Sequence, residues 1–184
     1  MITELPEQLI AQAELLLRDA AFSEANVRRA VSSAYYALFH LLIRDAVVNW
    51  RHVEQHARLA RSFDHKRMKD ASQALLKEMG GIPIQSIGGA DAEQVARFRL
   101  SVVAQAFVEL QQARHKADYE IGEPFGPVDA AVDVAQARLA FVTWADVRDE
   151  PLAQRYLYSL PFGKGSKSQF FLGPLKEIAG RAHI

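Results

Sequence analysis

Two short groups of residues carry side chains able to do chemistry. Arg114, His115, Asp118 and Tyr119 fall within six consecutive positions, near the end of a long run free of Gly and Pro. A guanidinium presents its donors in a planar fork that matches a phosphate, and a carboxylate four residues further along a helix shares its face and can hold it. Far upstream, Arg29, Ser33, Tyr36, His40 and Arg44 recur at steps of four, three, four and four. On a helix that spacing puts cation, hydroxyl, ring and imidazole in one stripe, which lines a cleft or a dimer seam, or else is merely a solvated surface. Ile43 and Val47 border the stripe and favour the cleft or seam.

Both groups need helices to position them. Pro6 is the only proline before Gly80, which is itself the first glycine, so more than seventy residues contain nothing that obliges a helix to stop. Gly and Pro then cluster at Gly80 to Pro83, Gly88-Gly89, Gly122 to Pro127, and from Pro151 onward. Between these breaks the apolar residues fall at helical spacing: Val27, Val31, Ala34, Leu38 and Leu42 in one segment, and Val128, Val132, Ala135, Leu139 and Val142 in another. Both series are expected to face the core. Ser23, Asp91 with Gln94, and Pro127 have the chemistry of helix starts. The pattern predicts helices over 6–21, 24–49, 52–62, 65–79, 91–119 and 128–148: an all-α, up-and-down bundle of four main helices with one additional short or broken helix. Val103, Phe107 and Leu110 continue a core stripe onto which Arg114 then falls. Arg114 is therefore either a half-buried partner of Asp118 in a last helical turn or a phosphate ligand on the wall of a cleft.

Composition excludes several classes. The 184 residues are 49% hydrophobic, hold 22 basic and 22 acidic side chains, and include no cysteine. Disulfides, thiolate metal sites and cysteine nucleophiles are thus ruled out, and no overall basic field announces nucleic acid. No apolar run is long enough for a bilayer and the start lacks a signal-peptide pattern, so a cytoplasmic protein is expected, without membrane, metal or cofactor. His52 and His56 have no carboxylate constellation around them. Gly163 to Ser168 lacks the spacing and preceding strand of a phosphate-binding loop.

The run Arg29-Ala30-Val31-Ser32-Ser33-Ala34-Tyr35-Tyr36-Ala37-Leu38-Phe39-His40 resembles the second-helix signature of HEPN domains, and Arg114-His115-Lys116-Ala117-Asp118-Tyr119 resembles the ending of their penultimate long helix. The resemblance spans roughly residues 5–148. It implies a bundle that dimerises and an RNA-directed activity, either as a metal-independent endoribonuclease or as a toxin held by a nucleotidyltransferase-fold antitoxin. Arg114 matches the family arginine and His115 the polar position beside it, whereas 119 to 121 hold Tyr, Glu and Ile where the family places a histidine. A non-catalytic dimeric module that binds a protein or a nucleotide ligand is the alternative. The homodimer is expected through the faces bearing Tyr36 and Arg114.

Residues 1–150 are expected to form the bundle and 151–184 a tail that it does not need for folding. The tail carries five cations against the single acid Glu177, a net charge of +4, interleaved with Tyr156, Tyr158, Phe162, Phe170 and Phe171. Such a mixture suits single-stranded RNA, but so many rings are expected first to pack on the body.

Overall fold

The computed structural model describes residues 4–18, 23–80, 91–120, 122 and 124–162. Its elements are α1 (Leu5–Arg18), α2 (Glu24–Val48), a 3-10 turn (Val53–Gln55), α3 (His56–Ala60), α4 (His65–Met79), α5 (Ala92–Tyr119), α6 (Pro127–Val147) and α7 (Pro151–Ser159). The described residues contain no strand. The expected all-α bundle is what the chain forms, with the segment predicted at 52–62 broken into the 3-10 turn and α3.

Local chemistry sets the helix ends. Ser23 Oγ accepts from the Asn26 amide at 3.2 Å and Asp91 Oδ1 from the Gln94 amide at 2.8 Å. Asp64 Oδ1 caps α4 through the amides of Lys66 and Arg67. Each cap satisfies amides that have no partner within the helix. Gly80, at φ +48°, closes α4 in the left-handed region that a side chain resists. Pro127 and Pro151 occupy first turns, where a missing N–H costs nothing.

Helix α2 is the axis of the bundle. α1, α5 and α6 pack directly against it, α4 packs on α5, and α7 touches both α2 and α4. Val27, Val31, Ala34, Leu38 and Leu42 are buried as their spacing predicts. Ile43 and Val47 are buried as well, at 8% and 1% exposure. They belong to the core, and the apolar margin expected beside the polar stripe does not exist.

Helix α6 is rotated relative to its expected orientation. Val128, Val132, Leu139 and Val142 are 74%, 62%, 56% and 58% exposed, whereas Ala130, Val134, Ala137, Ala140, Trp144 and Val147 are buried. The helix has apolar residues at helical spacing on two opposite faces, so periodicity could not choose between them. The face with Trp144 goes inward, because a large ring buries the most apolar area and its indole N–H finds Asp45 Oδ2 at 2.8 Å inside the core.

The boundary expected at residue 150 does not divide the packed body. α7 buries Ala153, Tyr156 and Leu157, and Leu160 follows them into the same cluster as Leu38 and Leu100. The Tyr156 hydroxyl lies 2.7 Å from Ser72 Oγ, and burial holds the phenol well above its ordinary range. The packing expected of the tail's rings is thus seen for Tyr156, while Phe170, Phe171 and the Gly163 to Ser168 segment lie outside the described residues. Truncation after residue 150 should abolish cooperative melting, and Tyr156→Ala should cost about 3–5 kcal/mol in denaturant unfolding. A truncated chain that melts as sharply as the full one would contradict this placement of α7.

Candidate functional site

The last two turns of α5 are held from below by α2. Arg28 donates to the carbonyl oxygens of Ala117 at 3.0 Å, Lys116 at 3.4 Å and Glu120 at 3.3 Å, so a cation closes the negative end of the helix. One turn further along α2, Ser32 Oγ donates to Asp118 Oδ1 at 2.5 Å. Asp118 Oδ2 in turn lies 2.6 Å from Arg114 Nε. The Nε–H does not point at that oxygen, so the contact balances charge without forming a well-angled hydrogen bond, and Nε is buried. The side chain of Arg114 is 18% exposed. Its guanidinium carbon sits 5.3 Å from the centre of the Tyr36 ring and 5.6 Å from that of Tyr119. Two rings and a carboxylate therefore fix the guanidinium, and no described residue accepts a hydrogen bond from its two terminal nitrogens.

Two imidazoles also pack on Tyr36. His40, one turn along α2, stacks with Tyr36 at 6.2 Å. His65, the first residue of α4, meets Tyr36 edge-on at 5.9 Å and Phe39 at 4.3 Å. Its Nδ1 lies 2.7 Å from the Tyr35 hydroxyl. Burial keeps Tyr35 a phenol by raising its pKa, so with the phenol donating, the ring proton of His65 is on Nε2. Gln111 of α5 donates to the His65 carbonyl at 3.0 Å and ties α4 to the helix that bears Arg114. Burial lowers the pKa of His65, and the Arg114 charge lowers it further; burial and then His65 lower that of His40. Both imidazoles are neutral at neutral pH. A neutral imidazole beside a fixed guanidinium can accept a proton next to a bound anion.

Of the residues expected here, Arg114, Asp118, Tyr119, Tyr36 and His40 form one connected group. His115 is exposed and touches it only through Tyr119, the two rings being 5.0 Å apart. Ser33 does not join it: it is buried and its hydroxyl donates to Gln12 of α1 at 3.2 Å. Arg44, at the same edge of the stripe, pairs with Glu7 of α1 at 2.7 Å. Arg29 is exposed. α1 thus covers one edge of the stripe and leaves Tyr36 and His40 at the other. His52 and His56 are separately engaged, by Glu54 at 3.2 Å and the Trp50 carbonyl at 2.9 Å. Sequence reasoning missed His65 and Arg28. His65 directly follows the N-cap Asp64, a position whose role at a site depends wholly on where α4 begins.

Compared with protein-family models, curated proteins and solved structures, the chain matches none. Among the described residues no helix is long and apolar enough to cross a membrane.

The neutral histidines make a pH prediction. A histidine whose folded pKa lies below its unfolded value of 6.5 favours the folded state above that pH, and this contribution is lost as pH falls below it. Asp133 acts oppositely: burial, helped by Asp129 and Glu109, raises its pKa to about 6, so its protonation restores stability on acidification. The measurement is therefore a difference. From pH 7.5 to 5.5 the wild type should lose more stability than His40→Asn or His65→Asn, and equal losses would show that neither ring is held neutral.

Proposed function

We propose that this chain is an RNA-directed protein of the HEPN type in which Arg114 holds a phosphate of the bound strand. The observation that supports this most is the state of Arg114: charge-balanced by Asp118, fixed between Tyr36 and Tyr119, and left with its terminal donors unused. A guanidinium used only for structure directs those donors at carbonyls, as Arg28 does. Tyr119, 61% exposed, offers a ring on which a base can stack. Positions 119 to 121 lack an imidazole, but His40 and His65 both pack on the Tyr36 ring that Arg114 contacts, and His65 lies within reach of the Arg114 charge; a neutral ring there is suited to take the proton of a ribose 2′-hydroxyl in metal-independent cleavage. The second reading, a non-catalytic module that binds RNA or a partner such as a nucleotidyltransferase-fold antitoxin, is favoured by the Tyr35 hydroxyl, which already engages one nitrogen of His65.

Arg114→Lys and Arg114→Ala distinguish phosphate binding from a structural pair. The arginine is only partly buried and Asp118 is 28% exposed, so Arg114→Ala should cost about 1–2 kcal/mol of stability, the lost stem packing included. Affinity for a labelled single-stranded RNA at low salt should fall about tenfold or more in both variants, because an ammonium cannot reproduce the two-pronged contact. Unchanged RNA affinity in a folded Arg114→Ala protein would end the proposal. Cleavage by the wild type in the presence of a chelator, lost in His65→Asn, selects the nuclease; binding without cleavage selects the module.

A further inference from the structure

We propose that the segment between α2 and α4 is a second binding surface, a basic rail that carries the sugar–phosphate backbone of the RNA strand away from Arg114 and towards Trp50; this rests on the RNA reading above. Its charge sets it apart. Residues 51–69 hold the six cations Arg51, Arg58, Arg61, Lys66, Arg67 and Lys69 against Glu54 and Asp64, a net +4 in a chain whose net charge is zero. Since residues 151–184 carry another +4, everything else in the chain carries −8. Neither acid of the segment pairs with an arginine or a lysine: Glu54 meets His52 at 3.2 Å, and Asp64 Oδ1 accepts from the amides of Lys66 and Arg67.

The fold lays this segment along α2. His56 meets the Trp50 carbonyl at 2.9 Å, Leu59, Ala60 and Phe63 pack on the core, and His65 lies 4.3 Å from the Phe39 ring. The chain therefore returns from residue 50 to the level of residue 39, about 16 Å back along α2. With the apolar residues turned inward, Arg58 and Arg61 are left exposed. Lys66, its side chain 85% exposed and 3.6 Å from Asp70, directly follows the His65 that packs on Tyr36, the ring that Arg114 also contacts. The basic strip thus begins beside the Arg114 group.

The state of these cations points to a ligand. Arg51 and Arg58 have no hydrogen-bond or ion-pair partner among the described residues, and Arg61 uses only Nε, on the Ala57 carbonyl at 3.1 Å. Arg67 is different: it donates to the Pro161 carbonyl at 3.5 Å and ties α4 to the end of α7. Like charges gathered on one strip repel each other, and a polyanion removes that repulsion on binding. A row of guanidinium forks suits phosphates that repeat along a strand, and half-buried Trp50 at the far end offers a face for a base.

Trp144 is 1% exposed and bonded to Asp45, so of the two tryptophans only Trp50 can report a ligand at the surface. An oligouridylate of about ten nucleotides should quench its fluorescence, whereas one of about three, long enough for Arg114 alone, should not. Both side chains being exposed, the double variant Arg58→Ala/Arg61→Ala should melt as the wild type does. It should bind the longer strand about fivefold more weakly at low salt and lower the slope of log affinity against log salt by about 1.4, two phosphate contacts at about 0.7 each, with the shorter strand unaffected. Arg114→Ala should weaken both strands, which keeps the two readings apart. An unchanged affinity and slope for the longer strand in the double variant overturns the rail and leaves Arg114 as a phosphate ligand, whereas a wild type that binds no RNA removes both. Quenching by both lengths alike, no quenching by the longer, or polyglutamate competing as well as RNA would also overturn the rail.

Discussion

A helix surrounded by other helices cannot leave its polar side chains to water, and this constraint on α2 shapes the rest of the molecule. Four of its polar groups reach outward, each to a different neighbour: Ser33 to Gln12 of α1, Tyr35 to His65 of α4, Ser32 to Asp118 of α5, and Asp45 to Trp144 of α6. A buried polar group without a partner costs about 1–3 kcal/mol. These bonds therefore fix the rotation and register of the helices around α2 more tightly than apolar contact alone, which tolerates sliding. Asp45 extends the pattern through Arg44 to Glu7, joining α1, α2 and α6 in one network.

The candidate site follows from two of those four bonds. Ser32 orients Asp118, which neutralises Arg114, and Tyr35 orients His65. Tyr36, the next residue on α2, is left between the two with its ring against both. Burial around that ring keeps both histidines uncharged, and charge adds to it: Arg114 at His65, and His65 at His40. An arriving phosphate would invert that balance by supplying the negative charge the cluster lacks.

Much of this was legible in the sequence, and the failures have particular causes. Helix positions could be read because, among the described residues, glycine and proline are confined to connections and first helical turns and the caps use ordinary side chains. Arg114 was found because it continues the stripe of Val103, Phe107 and Leu110. The facing of α6 was misjudged because valine and alanine populate both sides, and only the bulk of Trp144 and its bond to Asp45 break the tie. α7 was missed because its Tyr156, Leu157 and Leu160 follow a proline in a segment whose basic charge suggested an arm. His65 escaped because joining it to Tyr36 and Arg114 requires the packing of α4 on α5, which no local spacing encodes.

The central position of α2 also bears on how the chain is made. α2 is complete by Val48, yet α5 and α6, which cover it, end at Tyr119 and Val147. α1 precedes it and can shield one flank at once. At roughly 5–20 residues per second on a ribosome, the other flank stays uncovered for about 5–20 s, with Leu38, Phe39 and Leu42 among the residues exposed. The most enclosed element of the finished protein is therefore the one its nascent chain displays longest, and a chaperone that binds apolar helices would meet α2 before α6 does.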